Sequence, residues 1–373
     1  MSDENMIRAG SPEPAAATRQ GEPGAVTPVT VIVPTYNESK NLPELSKRIC
    51  ASVPGVEIVV VDDASKDGTA DVARELGKTL PVRVIERFDE RGLSTAVLRG
   101  MKEAKNDVCV VMDADLSHPP ESIPRMIRAV VDGADVSVGS RYVKGGDIDD
   151  WPLFRRFTSL AGTWLARPLT PVRDPMAGFF CLRRSLINGV ALKPRGFKIL
   201  LEILARTGTQ KTSEIPIRFE DRTQGASKFG SKQRKEFLSQ VWELYRDLNA
   251  WPLRVFKFLC TGAIGVIPNI VVLNLAVKGF GASKDIGVAA GWGVAMTTNY
   301  LINRKWTFRA DGVPVAGSYL KYALGSLGGL GIQWLVMRGL PTMHYNVSAL
   351  LGIAAGTVFN YMASQLWAFA RKR

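Results

Sequence analysis

Four apolar segments in the C-terminal part of this 373-residue chain restrict its fold more than any other feature. They cover residues 255–277, 286–302, 319–337 and 347–370. Each is close to the roughly 17–25 residues with which an α-helix crosses a bilayer. Their many Gly and Ala residues allow close contacts between helices. The sequence therefore predicts an all-α domain of four transmembrane helices at residues 255–373.

Basic residues predict the orientation of these helices. Arg304, Lys305, Arg309 and Lys321 lie between the second and third segments, and residues 371–373 read Arg-Lys-Arg. Short cytoplasmic loops carry an excess of Lys and Arg. We therefore expect a multi-pass protein of the cell membrane whose two termini and soluble domain are cytoplasmic.

Two further segments lie on either side of residues 29–230. Residues 1–28 are rich in Ala, Pro, Glu and Gly, and they cannot bury enough apolar surface to fold, so we expect a disordered tail. Residues 231–254 mix Trp and Tyr with charged residues, which predicts an amphipathic helix or linker at the membrane interface. Residues 29–230 are left as one soluble domain.

Short apolar runs alternate with helical patterns in this soluble domain. The runs cover residues 29–33, 57–61, 82–86, 108–112 and 135–138. This alternation predicts an α/β, Rossmann-like domain with a mostly parallel sheet and helices on both faces. Polar clusters follow four of the runs, at residues 34–38, 62–63, 113–115 and 139–142. Because ligands bind beyond the carboxyl ends of such strands, the clusters predict a site on one rim of the sheet.

Asp113 and Asp115 follow the apolar run 108–112. In extended backbone, residues i and i+2 point the same way, so both carboxylates can face one point beyond the strand. Mg²⁺ prefers carboxylate oxygens and usually shares its shell with substrate phosphates. One interpretation is therefore a metal site that holds a diphosphate. The other is a polar turn, in which Asp is common.

The formal net charge of +13 favours an anionic partner. The sequence has no G-x-G-x-x-G and no P-loop motif, so a diphosphate would depend on a metal and on basic side chains. Nucleic acid is not expected as a partner, because no recognition motif accompanies the basic residues.

Several motifs, taken together, resemble one family. Residues 34–38 (PTYNE), 59–69 (VVVDDASKDGT), 113–119 (DADLSHP) and 222–228 (RTQGASK) are similar to the GT-A glycosyltransferases of family 2. Among these, they resemble the dolichol-phosphate (polyprenol-phosphate) mannose synthases, over residues 29–245. Residues 298–308 (TNYLINRKWTF) resemble a motif of the GtrA-like membrane domain.

The resemblance implies a GT-A fold and a defined reaction. Mannose would pass from GDP-mannose to the phosphate of a membrane polyprenol or dolichol phosphate, with inversion, giving polyprenyl-phosphate β-mannose and GDP. Mg²⁺ or Mn²⁺ would be the cofactor. The partners would be GDP-mannose, the lipid phosphate and the bilayer. Whether the chain forms a homo-oligomer is left open.

The resemblance also implies how the donor is bound. Pro34, Tyr36, Glu38, Val61 and Asp63 would contact the base and ribose. The diphosphate and the metal would lie along Asp113, Ala114 and Asp115. Ser117 stands where relatives often have a Gln ligand, and it is kept as a third candidate for the metal.

Basic residues would hold the phosphates. Arg141 and Arg156 would meet the acceptor phosphate, while Lys198, Arg222 and Lys228 would contact the donor. A lipid phosphate oxygen is already anionic, so no general base is required. The catalytic set implied by the resemblance is therefore Asp113, Asp115, Arg141, Arg222 and Lys228, and Asp174 is a candidate base only for a hydroxyl acceptor.

Two alternatives stay open at this point. One is a UDP-glucose-dependent polyprenyl-phosphate glucosyltransferase. The other, from a different class, is a lipid-linked sugar flippase or membrane scaffold with an inactive soluble part. The intramembrane residues Asn299, Asn303, Asn360 and Gln365 could touch lipid phosphate, but contacts between neighbouring helices are the favoured interpretation.

Overall fold

A computed structural model of the chain describes residues 27–148, 153–194, 196–219, 231–340 and 343–370. Almost all of the expected tail, residues 1–28, lies outside this range. The first elements are β1 Val29–Thr35, α1 Leu42–Ser52, β2 Glu57–Asp62, α2 Thr69–Leu76, β3 Val82–Glu86, α3 Leu93–Glu103, β4 Val108–Val111, α4 Ile123–Val131 and β5 Val136–Ser140. The alternation read from the sequence is therefore confirmed.

The second half of the soluble part is less regular. It contains β6 Asp147–Ile148, α5 Leu153–Ala166, β7 Phe180–Arg183, α6 Ile199–Thr207, β8 Thr212–Pro216 and β9 Arg218–Phe219. Seven strands form one sheet in the order β3-β2-β1-β4-β7-β5-β8, while β6 and β9 pair separately. The fold is the expected mostly parallel α/β type.

The sheet is buried on both faces, which explains its nearly continuous Val and Ile runs. On one face, Val31, Val33 and Val60 pack with residues of α1 and α4. On the other, Ile32 and Val59 pack with residues of α3 and α6. This rigid double layer fixes the strand ends from which the polar clusters project.

Strand β7 runs antiparallel between β4 and β5, with Phe180 opposite both Val111 and Val138. An antiparallel strand begins at the edge where its parallel neighbours end. The segment before β7, residues 174–179, therefore enters the rim beside Asp113.

Helices α5 and α7 (Ser231–Asp247) pack together beside the sheet. Phe237 and Leu244 of α7 meet Ala166 of α5 and Leu201 of α6, and the Tyr245 hydroxyl donates to the Leu165 carbonyl at 2.6 Å. Large apolar side chains of both helices face outwards, among them Trp164, which is 74% exposed, and Trp242.

The C-terminal part consists of α8 Trp251–Asn274, α9 Lys284–Ile302, α10 Val315–Gly339 and α11 Tyr345–Ala363. Three π-helical turns extend α8, α9 and α11, at Leu275–Gly279, Asn303–Thr307 and Ser364–Ala368. These helices correspond to the four predicted segments. Among the described residues, one helix, Trp251–Gly279 with 29 residues, is long and apolar enough by itself to cross a membrane.

Helices α8–α9 and α10–α11 are two copies of one hairpin. Asn299, Tyr300, Trp306 and Phe308 of the first copy recur at the same spacing in the second as Asn360, Tyr361, Trp367 and Phe369. The packing repeats too: Asn299 lies against Gly265 of α8, and Asn360 lies against Gly329 of α10. These contacts agree with the interpretation that both Asn residues serve helix packing.

Candidate active site

Three loops leave the carboxyl ends of β1, β2 and β4 through a left-handed residue. These residues are Asn37, Ala64 and Leu116, with φ angles of 60°, 53° and 61°. Asn tolerates this conformation, but for residues such as Ala64 and Leu116 it costs on the order of 1–2 kcal/mol. Such strain is kept where surrounding contacts enforce it, and it clusters at functional sites.

The three loops border a cleft of about 690 Å³. Of the residues that the sequence singled out, Pro34, Tyr36, Glu38, Asp63, Asp113, Ala114, Asp115, Arg141 and Lys198 line it. The strand ends therefore bring together side chains that are far apart in the chain.

Asp113 and Asp115 lie at the centre of the cleft. The Ser117 hydroxyl donates to Asp115 Oδ1 at 2.5 Å. A Cβ at Gly178 would lie 2.6 Å from Asp113 Oδ2, so the carboxylate occupies space that only glycine leaves free. Among the described residues there is no cluster of three or more His, Cys, Asp or Glu side chains that could hold a metal. Two carboxylates nevertheless suit a divalent cation that takes its other ligands from a diphosphate.

His118 closes the floor of the cleft. It is almost fully buried between Phe179 and Phe219, with ring centroids 5.3 and 5.4 Å away. Its Nδ1 lies 4.0 Å from Asp113 Oδ2. Burial lowers the pKa of His118, although the carboxylates of Asp113 and Asp115 oppose this shift. A neutral packing residue fits these surroundings.

The side chains of Asp62 and Asp63 point to opposite sides, because successive side chains alternate along a strand. The Asp62 carboxylate accepts from Thr35 Oγ1 at 2.9 Å and from the Ser65 backbone N–H at 2.8 Å, away from the cleft. Asp63 faces the cleft, where Arg87 Nε donates to it at 2.8 Å and the Gly92 N–H donates at 2.8 Å. The structure thus fixes Asp63 as the cleft-facing carboxylate of the pair.

Arg141 and Asp174 form a buried ion pair at the opposite wall. The Nε and Nη2 atoms of Arg141 each donate to the Asp174 carboxylate at 2.8 Å, and the Arg141 backbone N–H donates at 3.1 Å. Burial opposes the charge, but Asp174 raises the pKa of Arg141, so the guanidinium stays cationic. Because Asp174 is fully used in this pair, it is poorly placed to act as a base.

Lys198 approaches the cleft from the start of α6. Its Nζ donates to the Met176 carbonyl at 2.8 Å and lies 4.7 Å from the centre of the Phe197 ring. Burial, and then the charge of Arg141, lower the pKa of Lys198 to about 8. Its charge is therefore sensitive to pH near neutrality.

At its far end the cleft is lined by large apolar side chains beside polar ones from the same two helices, Thr158, Ser159, Gln233, Arg234 and Glu236. Phe157, Ala161 and Leu165 of α5 line one side, and Phe237 and Leu238 of α7 line the other. Phe157 is 69% exposed and Leu238 54% exposed. The cleft thus runs from the two carboxylates to a gap between two amphipathic helices.

Two predicted site residues do not line the cleft. Val61 is fully buried in the core against α3, so its side chain is not available for a ribose contact. Ser117 is also buried and reaches the cleft only through its hydrogen bond to Asp115. Arg222 and Lys228 lie outside the described residues, and so does the side chain of Arg156, which belongs to α5.

Sequence reasoning missed three residues of the site. Arg87 directly follows β3 and anchors Asp63, Phe219 covers His118, and Ser159 shares a 2.8 Å hydrogen bond with the Tyr142 hydroxyl. The position of Arg87 at a strand end was a usable signal. The other two depend on the packing of α5 and β9, which no local pattern reveals.

Comparison with known proteins finds matches for both parts of the chain. The family model for glycosyl transferase family 2 matches residues 30–189, and the model for the GtrA/DPMS transmembrane domain matches residues 257–369. The glucosyl-3-phosphoglycerate synthase of Mycobacterium tuberculosis, crystallised with Mn²⁺, UDP-glucose and phosphoglyceric acid, matches with a TM-score of 0.47 and 19% identity. That match covers 60% of this chain and 86% of the other.

Curated relatives match over longer stretches. The dolichol-phosphate mannosyltransferase of Pyrococcus furiosus is 40% identical over 346 residues, which are 90% of this chain and 98% of the relative. That of Saccharomyces cerevisiae is 40% identical over 61% of this chain and 88% of its own length. The polyprenol monophosphomannose synthase of Mycolicibacterium smegmatis is 37% identical over 60% of this chain and 89% of its own length. The chain therefore belongs to the dolichol-phosphate mannosyltransferases of glycosyl transferase family 2, and it carries the GtrA-type membrane domain at its C-terminal end.

Proposed function

We propose that this protein transfers mannose from GDP-mannose to the phosphate of a membrane polyprenol or dolichol phosphate. The observation that carries the proposal is the single cleft that joins Asp113 and Asp115 to the apolar gap between α5 and α7. A polar sugar donor suits the first end, and an isoprenoid suits the second. The names of the relatives, mannosyltransferase and monophosphomannose synthase, support the same activity.

The donor would occupy the end of the cleft that lies at the carboxyl ends of β1, β2 and β4. Pro34, Tyr36, Glu38 and Asp63 are proposed to contact the nucleoside, and Asp113, Ala114 and Asp115 the diphosphate. The exposed rim around Tyr36 suits this role, since Arg91 lies 5.8 Å from the centre of its ring and supplies a cation. Val61 would contribute only backbone atoms.

Mg²⁺ or Mn²⁺ fits the two carboxylates, with Ser117 holding Asp115 in place rather than binding the metal directly. A cation bound there would stabilise the charge that develops on the departing GDP. Lys198, together with Arg222 and Lys228, is proposed to add positive charge around the diphosphate.

The acceptor phosphate is proposed to meet Arg141. The buried Asp174 orients the guanidinium before any ligand binds, so little reorganisation is needed. Arg156 is proposed as a second phosphate contact. An anionic phosphate oxygen can attack the anomeric carbon without a base, and direct displacement inverts that centre, giving the β-linked product.

Four parts of the chain follow from this proposal. They are an N-terminal segment (1–28), nearly all of which lies outside the described residues, the GT-A domain (29–230), an interface helix and linker (231–254) and the GtrA-like domain of four membrane helices (255–373). The exposed apolar surfaces of α8 to α11 support a multi-pass arrangement. The basic residues between α9 and α10 support a cytoplasmic catalytic domain.

The test uses the purified full chain in detergent with polyprenyl phosphate and Mg²⁺ or Mn²⁺. GDP-mannose and UDP-glucose, each labelled in the sugar, are offered in parallel, and the label is counted in the organic phase. We expect mannose label that disappears with EDTA and in Asp115→Asn. Asp132→Asn, at the exposed end of α4, is the matched control and keeps the activity.

Each other outcome points to a different conclusion. Glucose label alone would overturn the proposed donor and favour the glucosyltransferase. Label with neither donor would overturn the transferase and favour a flippase or scaffold.

A further inference from the structure

Equivalent residues of the two hairpins of the membrane domain contact each other reciprocally. The rings of Phe308 and Phe369, which occupy equivalent positions, stack on each other with centroids 4.9 Å apart. Phe258 packs on Tyr361 at 5.5 Å, and the equivalent pair, Tyr322 and Tyr300, packs at 5.7 Å. Equivalent positions in the two halves therefore have closely similar surroundings and can be compared directly.

In one half, the side chains of Tyr300, Ser318 and Arg304 are hydrogen-bonded to one another or to backbone carbonyls. The Tyr300 hydroxyl lies 2.8 Å from Ser318 Oγ and 3.0 Å from the Val315 carbonyl. Arg304 donates to Ser318 Oγ at 3.2 Å and to the Val313 carbonyl. These contacts satisfy the buried groups without any ligand.

In the other half, Tyr361 is equivalent to Tyr300, Arg254 to Ser318 and Gln365 to Arg304. Tyr361 and Arg254 are close enough to interact electrostatically. The Tyr361 hydroxyl, Arg254 Nε and Gln365 Oε1 are all buried and have no hydrogen-bond partner within the described part of the chain. Buried polar atoms are normally paired, so three such atoms at one place indicate a missing partner.

Arg254 and Gln365 line a second cavity, of about 710 Å³, between the catalytic and membrane domains, and Tyr361 lies near Arg254 behind this wall. Arg254, Gln365, Phe308, Arg309 and Phe369 form its membrane-domain wall, and it shares no lining residue with the catalytic cleft. No acidic side chain is among the described residues that line it. The cavity is therefore positively charged.

The cavity lies at the level of Trp and Lys residues that are typical of a membrane interface. Trp306 and Trp367 occupy equivalent positions near the ends of the two hairpins, and both are exposed. Lys257 lies 5.6 Å from the centre of the Trp306 ring, and Lys321 lies 5.9 Å from that of Trp367. Trp and Lys are typical of the headgroup region.

We propose that this junction cavity binds the phosphate group of an anionic ligand through the lining residues Arg254 and Gln365, with the unpartnered hydroxyl of the nearby Tyr361 as a further donor. The planar guanidinium of Arg254 offers the fork that suits phosphate oxygens. Tyr361 supplies a neutral donor, and Gln365 supplies an amide. The ligand is either the phosphate of a lipid headgroup or free phosphate. It would supply the hydrogen-bond partners that these three side chains lack, whereas Ser318 and Arg304 supply them within the protein in the other half.

The test measures the thermal midpoint of the purified full chain in detergent while dihexanoyl-phosphatidylglycerol or inorganic phosphate is added. We expect the midpoint to rise with ligand concentration in the wild type. Arg141→Gln, which removes the proposed acceptor-phosphate contact in the catalytic cleft, keeps the same response, which separates this site from the proposed function. Arg254→Gln raises the half-saturating concentration roughly tenfold, as expected for the loss of a charged hydrogen bond.

Two further variants make the test specific. Arg338→Gln removes a cation beside Trp334 near the C-terminal end of α10 and leaves the response unchanged. Tyr361→Phe removes one hydroxyl, so it weakens binding even if Arg254→Gln fails to fold. A response to the lipid alone identifies a headgroup, and an equal response to phosphate identifies the free ion. The proposal is overturned if neither probe shifts the midpoint, or if wild type and Tyr361→Phe bind equally well.

Discussion

Asp113 occupies space that exists only because residue 178 has no side chain. A Cβ there would lie 2.6 Å from Asp113 Oδ2, so Gly178→Ala must displace the carboxylate or the backbone before β7. A shift of about 1 Å in a catalytic group costs on the order of a hundredfold in rate. We expect such a loss of mannose transfer for Gly178→Ala, measured as initial rates.

Gly312→Ala is the control for this substitution, because a Cβ at Gly312 meets nothing within 4 Å. It should transfer mannose at the wild-type rate. Equal rates in both variants would mean that the position of Asp113 does not matter for the reaction.

Lys198 gives the site a dependence on pH. Burial lowers its pKa to about 8, so the charge is present at pH 7 and is lost as the pH rises through that value. If this charge helps to hold the donor diphosphate, kcat/KM for GDP-mannose should fall above pH 8, because this ratio reports groups of the free enzyme. Lys198→Arg, which stays cationic, should remove the decline, and a decline that persists in Lys198→Arg would assign it to another group.

Single residues also mark the limit of what the sequence could predict about the site. Asp113, Asp115 and Asp63 were found because they follow buried strands, whose ends meet at one rim. The pairing of Arg141 with Asp174 was not found, since it joins two loops that only the antiparallel insertion of β7 brings together. Val61 was assigned a contact by resemblance, yet the alternation of β2 turns its side chain into the core.

At the scale of elements, hydrophobic periodicity was sufficient for β1 to β5 and for the helices between them. Each of these strands is a short Val- and Ile-rich run, as expected when both faces of a sheet are buried. The direction of β7 was not predictable in the same way. An apolar run such as Phe180–Arg183 indicates a strand but contains no information about its orientation.

The internal duplication of the membrane domain was visible in the sequence but was missed. The shared N-Y and W-x-F residues are separated by many positions that differ, because lipid-facing positions tolerate any apolar residue. What the two copies share are contacts: a glycine on the first helix and an Asn on the second.

This packing leads to a prediction for α10. A Cβ at Gly329 would collide with the Asn360 amide, whereas a Cβ at Gly331, two positions further along, meets nothing within 4 Å. Gly329→Ala should destabilise the domain by about 1–3 kcal/mol, the usual cost of overpacking. Thermal unfolding in detergent should show a lower midpoint for Gly329→Ala than for Gly331→Ala, and equal midpoints would contradict the packing described.

At the scale of the whole molecule, side-chain hydrogen bonds join the interface helix and linker (231–254) to the membrane domain. Asn249 donates to the Thr307 carbonyl at 2.8 Å, and Lys257 Nζ donates to Asn249 Oδ1 at 3.1 Å. Arg309 donates to the Arg246 carbonyl at 3.1 Å. These bonds connect the end of α7, the helix that lines one side of the mouth of the cleft, with the end of the first hairpin.

The central claim is that one cleft receives a polar donor at the sheet and a lipid between α5 and α7. The most direct test is to block the lipid end alone. Ala161 lines the cleft and is exposed, so Ala161→Trp adds bulk there without disturbing the core. Leu160→Trp is the matched control, because the neighbouring Leu160 is exposed outside the cleft.

The measurement is mannose transfer from GDP-mannose to a long-chain polyprenyl phosphate, with GDP-mannose binding measured in the same preparations. We predict that Ala161→Trp binds GDP-mannose as the wild type does but loses transfer, while Leu160→Trp keeps both. Transfer at the wild-type rate by Ala161→Trp would contradict the account, because the lipid would then have to enter elsewhere.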